Sequence, residues 1–544
     1  MIKKTGLKDK YKSMPAMKLS PEKSISVFFC IAAGVVLACA FDKIGAGFAA
    51  WFAPGLLLAG ICRVRGGGAA FLLGVLAGFV HYLLLLYWLV PTMHRYGPMP
   101  VWLSFFALLL LAFYLALYTG VFAWAVTLVP VRPVFLVVWV PVCWVALEYA
   151  KTFLFSGFPW GLAGYSQYRY PVLIQSADLF GVYGVSFFVC AVSACFFLIF
   201  MHLFHGRWQN RPVGRGAAVA GLLVAAGLFA ANGGYGMFRL AEQDTADRPA
   251  GQLRVSLIQA NIEQSLKWDD AHVEATLDKY IRLSLSAAEK QPDLVVWPET
   301  AVPFYFFHDS QRTRRVLDTA ERMKIPLLAG APAYERPEDG KKLRLFNSAY
   351  LIDARGRVAG RYDKVHLVPF GEYVPLKKWL PFVGKIVPET GDFSPGRPGR
   401  LLSAGNADMG VQICYEIIFP HLSAAMVRAG ADILVNITND AWFGDTSAPL
   451  QHFSMAVFRA VENRRPVVRA ANTGISGFID PAGRIRESSA VFQTTSLTRD
   501  VATAGDEIGF YTRYPHLLPG LCAAAALVFV LAGLRKGLRT RRDS

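Results

Sequence analysis

Three side chains in the second half of this sequence are of types that, brought together, make an acyl-transfer site. Glu299 lies at the end of the apolar run LVVWPET, Lys364 sits in RYDKVHLVPFGEY, and Cys414 closes a run in VQICYEIIFP. A thiol near its reference pKa of ~8.5 is mostly protonated at neutral pH, so it needs a base to become a nucleophile. A nearby carboxylate can take that proton. An ammonium can then stabilise the oxyanion formed when the thiolate attacks a carbonyl. Each residue also has a plain structural role open to it: packing for Cys414, a helix cap or ion pair for Glu299, a solvated loop for Lys364. Their separations along the chain carry no local meaning, so residue type alone leaves the choice open.

The elements that must position them are readable from patterning. Apolar runs at 253–262, 293–300, 325–334, 347–353, 409–416, 431–440 and 467–480 read as strands. Between some of them lie helical patterns. Val273, Leu277, Ile281 and Leu285 recur every four residues in 270–289, and 450–464 is a second candidate. Apolar strands alternating with helices predict a layered α/β domain with a buried sheet. That domain spans about 232–515.

The rest of the 544-residue chain is different in kind. The sequence is 54% hydrophobic and only 17% charged, with a mean hydropathy of +0.35, too apolar for an ordinary soluble protein. Apolar windows of spanning length fall near 24–41, 46–62, 69–90, 101–128, 134–150, 177–201 and 214–231, and an eighth near 516–534. The predicted organisation is a seven-span membrane domain at 1–231, a catalytic domain at 232–515, and a last span with a basic tail at 516–544. Lysines crowd the N-terminus, and Arg63, Arg65, Arg132, Arg207, Arg211 and Arg215 fall in alternate loops. The positive-inside rule then puts those loops and the Arg-rich tail in the cytoplasm, and the 232–515 domain outside it. The net charge of +17 suits an anionic lipid surface; because it flanks apolar runs, no nucleic acid partner is expected.

Seven of the eight cysteines lie in or at the ends of apolar runs, where small packing residues are the ordinary reading. Cys414 is the exception. The ten histidines show no HExxH or paired ligand spacing, and there is no P-loop or dinucleotide fingerprint. No metal and no cofactor is expected.

WPET, DKVHLVPFGEY and CYE, in that order, resemble the three catalytic motifs of the nitrilase superfamily. Its members have an α-β-β-α sandwich and a Glu-Lys-Cys triad. With spans before and after, and with SGFPWGLAGYSQ (156–167), ANIEQSLKW (260–268) and NDAWFGDTSAPLQH (439–452), nearly the whole chain resembles the superfamily's membrane branch, the apolipoprotein N-acyltransferases. The resemblance implies Glu299 as general base, Lys364 as oxyanion stabiliser and Cys414 as nucleophile. It implies supporting parts for Glu372, Tyr415 and Glu416. Trp268, Asn347, Trp379 and Trp442 become candidate substrate contacts. The implied donor is a membrane phospholipid and the implied acceptor an apolipoprotein, at the periplasmic face of a bacterial inner membrane. The rival reading is a membrane-bound amidase of nitrilase type that cleaves a C–N bond with water; a transporter would need buried charges in its spans, where few are found. The stretch 373–390, which mixes Trp379, Leu380 and Phe382 with Lys377, Lys378 and Lys385, has the composition of a lipid-boundary loop.

Overall fold

Apolar windows become helices in the first part of the chain. Among the described residues, seven helices are long and apolar enough to cross a membrane. In this computed structural model the described residues are 21–64, 66–97, 99–245, 251–264, 270–336, 343–374, 393–503, 505 and 507–542. Six of the seven precede the α/β domain: α1 (Pro21–Cys39), α3 (Gly67–Leu85), α5 (Val101–Leu128), α6 (Leu136–Phe153), α7 (Ala177–Leu203) and α8 (Arg215–Thr245). The window at 46–62 is shorter than predicted. It folds as a 3₁₀ turn, Gly47–Trp51, followed by α2 (Ala53–Ile61). The segment still runs back along α1: Ala46 N–H bonds Cys39 O at 3.1 Å, and a β-carbon on Gly60 would lie 3.0 Å from Ser26 O. It therefore returns the chain to the level at which α1 begins. A short amphipathic helix, α4 (Leu89–Tyr96), sits between α3 and α5, and none of its residues is fully buried.

Helix α8 continues to Thr245, beyond the predicted end of its span. Its polar last turns give the chain a rigid riser, and the first strand begins at Gly251. Two six-stranded sheets then form. The first has β1 (Gly251–Gln259), β2 (Leu294–Val296), β3 (Leu327–Glu335), β4 (Arg344–Ile352), β5 (Val358–Asp363) and, at its edge beside β1, β12 (Thr495–Thr503). The second runs, in spatial order, β11 (Ile485–Ser488), β10 (Gly477–Ile479), β9 (Val467–Ala471), β8 (Ile433–Thr438), β7 (Ala407–Ile413) and β6 (Leu402–Ala404). Each sheet has a parallel centre, β1-β2-β3 and β7-β8-β9, with antiparallel margins.

Strand alternation explains the layers. In β2 Leu294 and Val296 share a core with Met409, Val411 and Ile433 of the second sheet, so they point between the sheets. Val295 and Trp297 instead pack with Val273, Leu277, Val316 and Ala320, under helices α9 (Asp270–Ala288) and α10 (Ser310–Met323). On the second sheet, α11 (Pro420–Arg428) and α12 (Ala448–Asn463) take the covering part. This is the expected α-β-β-α sandwich. The run at 467–480, predicted as one strand, is instead the antiparallel pair β9 and β10, folded at Asn472–Ser476. Helix α13 (Leu517–Arg542) follows the domain and packs on α6 and α7 through Phe529 and Cys522.

Helix α12 is the joint between sandwich and membrane helices. From Gln451 to Asn463 every side chain is buried, because one face meets the second sheet and the other meets α7 and its neighbours. Gln451 accepts from Trp160 Nε1 at 2.7 Å and donates to Asp42 O at 3.1 Å. Arg459 donates to Tyr165 Oη at 3.1 Å and pairs with Glu462 at 2.9 Å. Glu462 in turn accepts the Val182 N–H at 2.9 Å. That N–H is free because α7 is broken at Gly181, whose φ of +65° suits glycine. A fully buried ion pair repays its desolvation only with close geometry and extra hydrogen bonds, and this one has both. The catalytic domain is thereby held at one height over the membrane helices.

Candidate active site

The three predicted residues arrive from three strand ends. Glu299 follows β2 in the turn at Trp297–Thr300; Lys364 directly follows β5; Cys414 directly follows β7. Pro298 cannot donate to a ladder, which is why β2 stops early and Glu299 leaves the sheet. Gly330 of β3 lets that turn lie close: a β-carbon there would fall 2.5 Å from Pro298 O. Cys414 has φ +52°, a sharp turn between β7 and the 3₁₀ segment Cys414–Ile418. Non-glycine residues seldom adopt this conformation, and it lifts the side chain out of the sheet.

Carboxylates and ammonium interlock. Lys364 Nζ lies 2.9 Å from Glu372 Oε1 and 3.5 Å from Glu299 Oε1, all three side chains being buried. Asn347 Nδ2 donates to Glu299 Oε1 at 2.7 Å and to Glu372 Oε1 at 2.8 Å. The amide that was a candidate substrate contact is thus engaged by both carboxylates. Glu299 Oε2 accepts the Asn439 N–H at 2.8 Å, and Glu372 Oε2 accepts the Val368 N–H at 2.8 Å. Burial alone would favour a neutral lysine, but the charges of Glu372 and Glu299 hold Lys364 well above the usual amine range. It is an ammonium at neutral pH.

The thiol goes the other way. Burial, and then the Glu299 charge, push Cys414 well above its ordinary range, and the opposing pull of Lys364 does not overcome them. Cys414 therefore rests as a thiol and needs a base for each attack. Alkylation by iodoacetamide should accordingly keep accelerating with pH beyond pH ~9, since only thiolate reacts. A plateau below pH ~8 would contradict a raised thiol.

Glu416 does not face the same space. It accepts from Val365 N at 2.7 Å, His366 N at 3.1 Å, Ile413 N at 2.7 Å and Tyr362 Oη at 3.0 Å. Burial pushes its carboxyl up to about 7, against the downward pull of those backbone donors and of Lys364. It ties the segment bearing Lys364 to the turn bearing Cys414. Tyr415 donates to Gly157 O at 3.3 Å, anchoring the same turn to a membrane-domain loop. Trp442, more than a third exposed, stands on the 3₁₀ turn Asp440–Phe443 with its ring edge-on to Tyr96 at 5.3 Å. Trp268, Trp379 and the loop beyond Val374 lie outside the described residues.

A second layer was missed by residue-type reasoning. His452 Nε2 reaches Cys414 O at 3.2 Å. Arg469 Nη2 donates to Asp440 Oδ2 at 2.8 Å and lies 3.0 Å from His452 Nδ1. Thr438 donates to Asp440 Oδ1 at 2.8 Å. All four are buried. The available signal was Asn436 and Arg469, polar residues inside otherwise apolar strands. Among the described residues no His, Cys, Asp and Glu cluster has the form of a metal site.

Residues 254–504 match the family described as Carbon-nitrogen hydrolase, and residues 33–195 match the Apolipoprotein N-acyltransferase N-terminal domain. A protein of Geobacter metallireducens named Apolipoprotein N-acyltransferase is 44% identical over 529 residues, covering 96% of this chain and 98% of that one. One of the same name from Rhizobium rhizogenes is 37% identical over 426 residues, covering 76% and 77%. Among solved structures, an amidase from Nesterenkonia sp. superposes with a TM-score of 0.36 at 23% identity, over 48% of this chain and 92% of that one. A nitrilase-superfamily protein of Saccharomyces cerevisiae gives 0.36 at 20%, over 47% and 91%. With both halves matched, and one relative similar over nearly its full length, the chain belongs to the apolipoprotein N-acyltransferase family.

Proposed function

We propose that this chain moves a fatty acyl group from a membrane phospholipid, through a thioester on Cys414, to the N-terminal amine of a diacylglyceryl-cysteine on an apolipoprotein. The observation that carries it is the buried carboxylate–ammonium pair beside the half-buried Cys414 thiol, locked by α12 onto a bundle of apolar helices. In the first step the Cys414 sulfur attacks the ester carbonyl while Glu299 takes the thiol proton. Lys364 stabilises the oxyanion. The C–O bond then breaks, the proton passes from Glu299 to the departing alkoxide, and lysophospholipid leaves. In the second step the lipoprotein amine attacks the thioester carbonyl and gives a proton to Glu299. The C–S bond breaks, and Cys414 regains a proton to restore the thiol.

Glu372 and Asn347 act on Lys364 and Glu299 rather than on substrate, and Glu416 and Tyr415 fix the turn at Cys414. The placement of Arg63, Arg132, Arg207, Arg211 and Arg215 in alternate loops supports a periplasmic site in a bacterial inner membrane. The hydrolytic alternative is disfavoured by the relatives, which are named as transferases. The test is to load the purified enzyme with phospholipid bearing a labelled acyl chain, then offer either buffer or a diacylglyceryl lipopeptide. We expect a labelled thioester at Cys414 that persists in buffer and discharges to the peptide amine. Equal discharge in both would support the amidase reading instead.

A further inference from the structure

A solvent-open cavity of about 240 Å³ lies where α4 meets the turn that carries Trp442. Arg95 and Tyr96 of α4 form one wall; Trp442, Phe443, Gly444 and Asp445 form the other. The position matters because Phe443 is the cavity's link to the reactive centre. Its ring is 6.0 Å from that of His452, and His452 touches the Cys414 carbonyl at 3.2 Å. The cavity is thus two rings, Phe443 and His452, away from the backbone carbonyl of Cys414, beyond the end of α3.

Arg95 is out of character for that boundary. The loops on this side are poor in Lys and Arg, and the other cations there are countered: Arg169 by Asp42 at 2.7 Å and Lys43 by Asp445 at 3.2 Å. Among the described residues no carboxylate pairs with Arg95. Its guanidinium is instead held over Gly444, where a β-carbon would lie 3.6 Å from Nη1. The acidic groups nearby are Asp445, exposed and already paired with Lys43, and exposed Glu263, whose charge opposes that of Arg95 at the Tyr96 phenol. An unpaired, forked cation beside two aromatic rings, on the short helix that links two apolar spans, is suited to a phosphodiester. The glycerol esters of a phospholipid lie only a few bonds from its phosphorus, so a phosphate held here leaves an ester within range of the Phe443 and His452 rings.

We propose that Arg95 binds the phosphodiester of the phospholipid donor and so selects for phosphate-bearing lipids in the first half-reaction. This rests on the acyl-transfer reading above. The test is single-turnover acylation of Cys414 by vesicle phosphatidylethanolamine and by p-nitrophenyl palmitate, which carries no phosphate, in wild type, Arg95→Gln and Arg95→Lys. We expect acylation by the phospholipid to fall about tenfold in Arg95→Gln, as for one lost charge-assisted contact at an exposed site, and by much less in Arg95→Lys. With p-nitrophenyl palmitate the loss should stay within about twofold. Equal losses with both donors, or no loss with either, would overturn the proposal. A loss confined to discharge onto a lipopeptide would overturn it too, placing the acceptor at Arg95. A wild-type enzyme that forms no acyl-Cys414 from phospholipid would instead remove the acyl-transfer reading itself.

Discussion

A Cys414→Ala chain is expected to insert and fold but to form no acyl adduct, with turnover falling by on the order of 10⁴-fold or more. The size follows from the role: without sulfur there is no covalent carrier, and neither half-reaction has a route through the site. Stability should change little. The thiol is small, and the turn is held by other atoms: the Cys414 carbonyl bonded by His452, Glu416 accepting from Ile413 N, and Tyr415 reaching Gly157. Mass spectrometry after incubation with phospholipid reads the adduct, and acylation of a lipopeptide reads turnover. A variant that still acylates at the wild-type rate would remove Cys414 from the mechanism.

Glu299→Gln is expected to lose on the order of 10²–10⁴-fold in acylation rate, the usual worth of a positioned base. The substitution keeps size and removes the proton acceptor. It also places an NH₂ where three donors converge, from Asn347, Lys364 and Asn439, so one hydrogen bond must be lost. Because Cys414 rests as a thiol, the variant must form its thiolate unaided. Its residual rate should therefore climb through the alkaline range, while KM for phospholipid moves little. Pre-steady-state acylation across pH measures both, and an undiminished rate at neutral pH would refute the base assignment.

Much of the architecture was legible because it depends on pattern. Four-residue spacing in 270–289 placed α9, and apolar runs placed the central strands of both sheets. Errors fell where a polar or special residue ended an element early. Pro298 cut β2 to Leu294–Val296, and the fold at Asn472–Ser476 split one predicted strand into two. Asn472 donates the last rung, to Thr438 O at 3.2 Å, and its side-chain amide then bonds Ile262 O at 2.8 Å and Asn439 Oδ1 at 3.0 Å. Such partners lie tens to hundreds of residues away and have no local signature. The short window at 46–62 showed its apolar character but not its irregular 3₁₀ start.

The sequence by itself determined which side chains can do chemistry here, that they sit outside the apolar spans, and which strands deliver them. Those are matters of residue type, order and periodicity. Only the tertiary structure decided what each group is. Lys364 is an ammonium because two carboxylates share it, and Cys414 is a thiol because burial and Glu299 outweigh that ammonium. Asn347 holds two carboxylates through its side-chain nitrogen, and Glu416 holds neighbouring residues because converging donors occupy both its oxygens. The position of the site against the apolar helices is likewise a tertiary fact. It is set by α12, whose buried Gln451, Arg459 and Glu462 find their partners only once the membrane helices are in place.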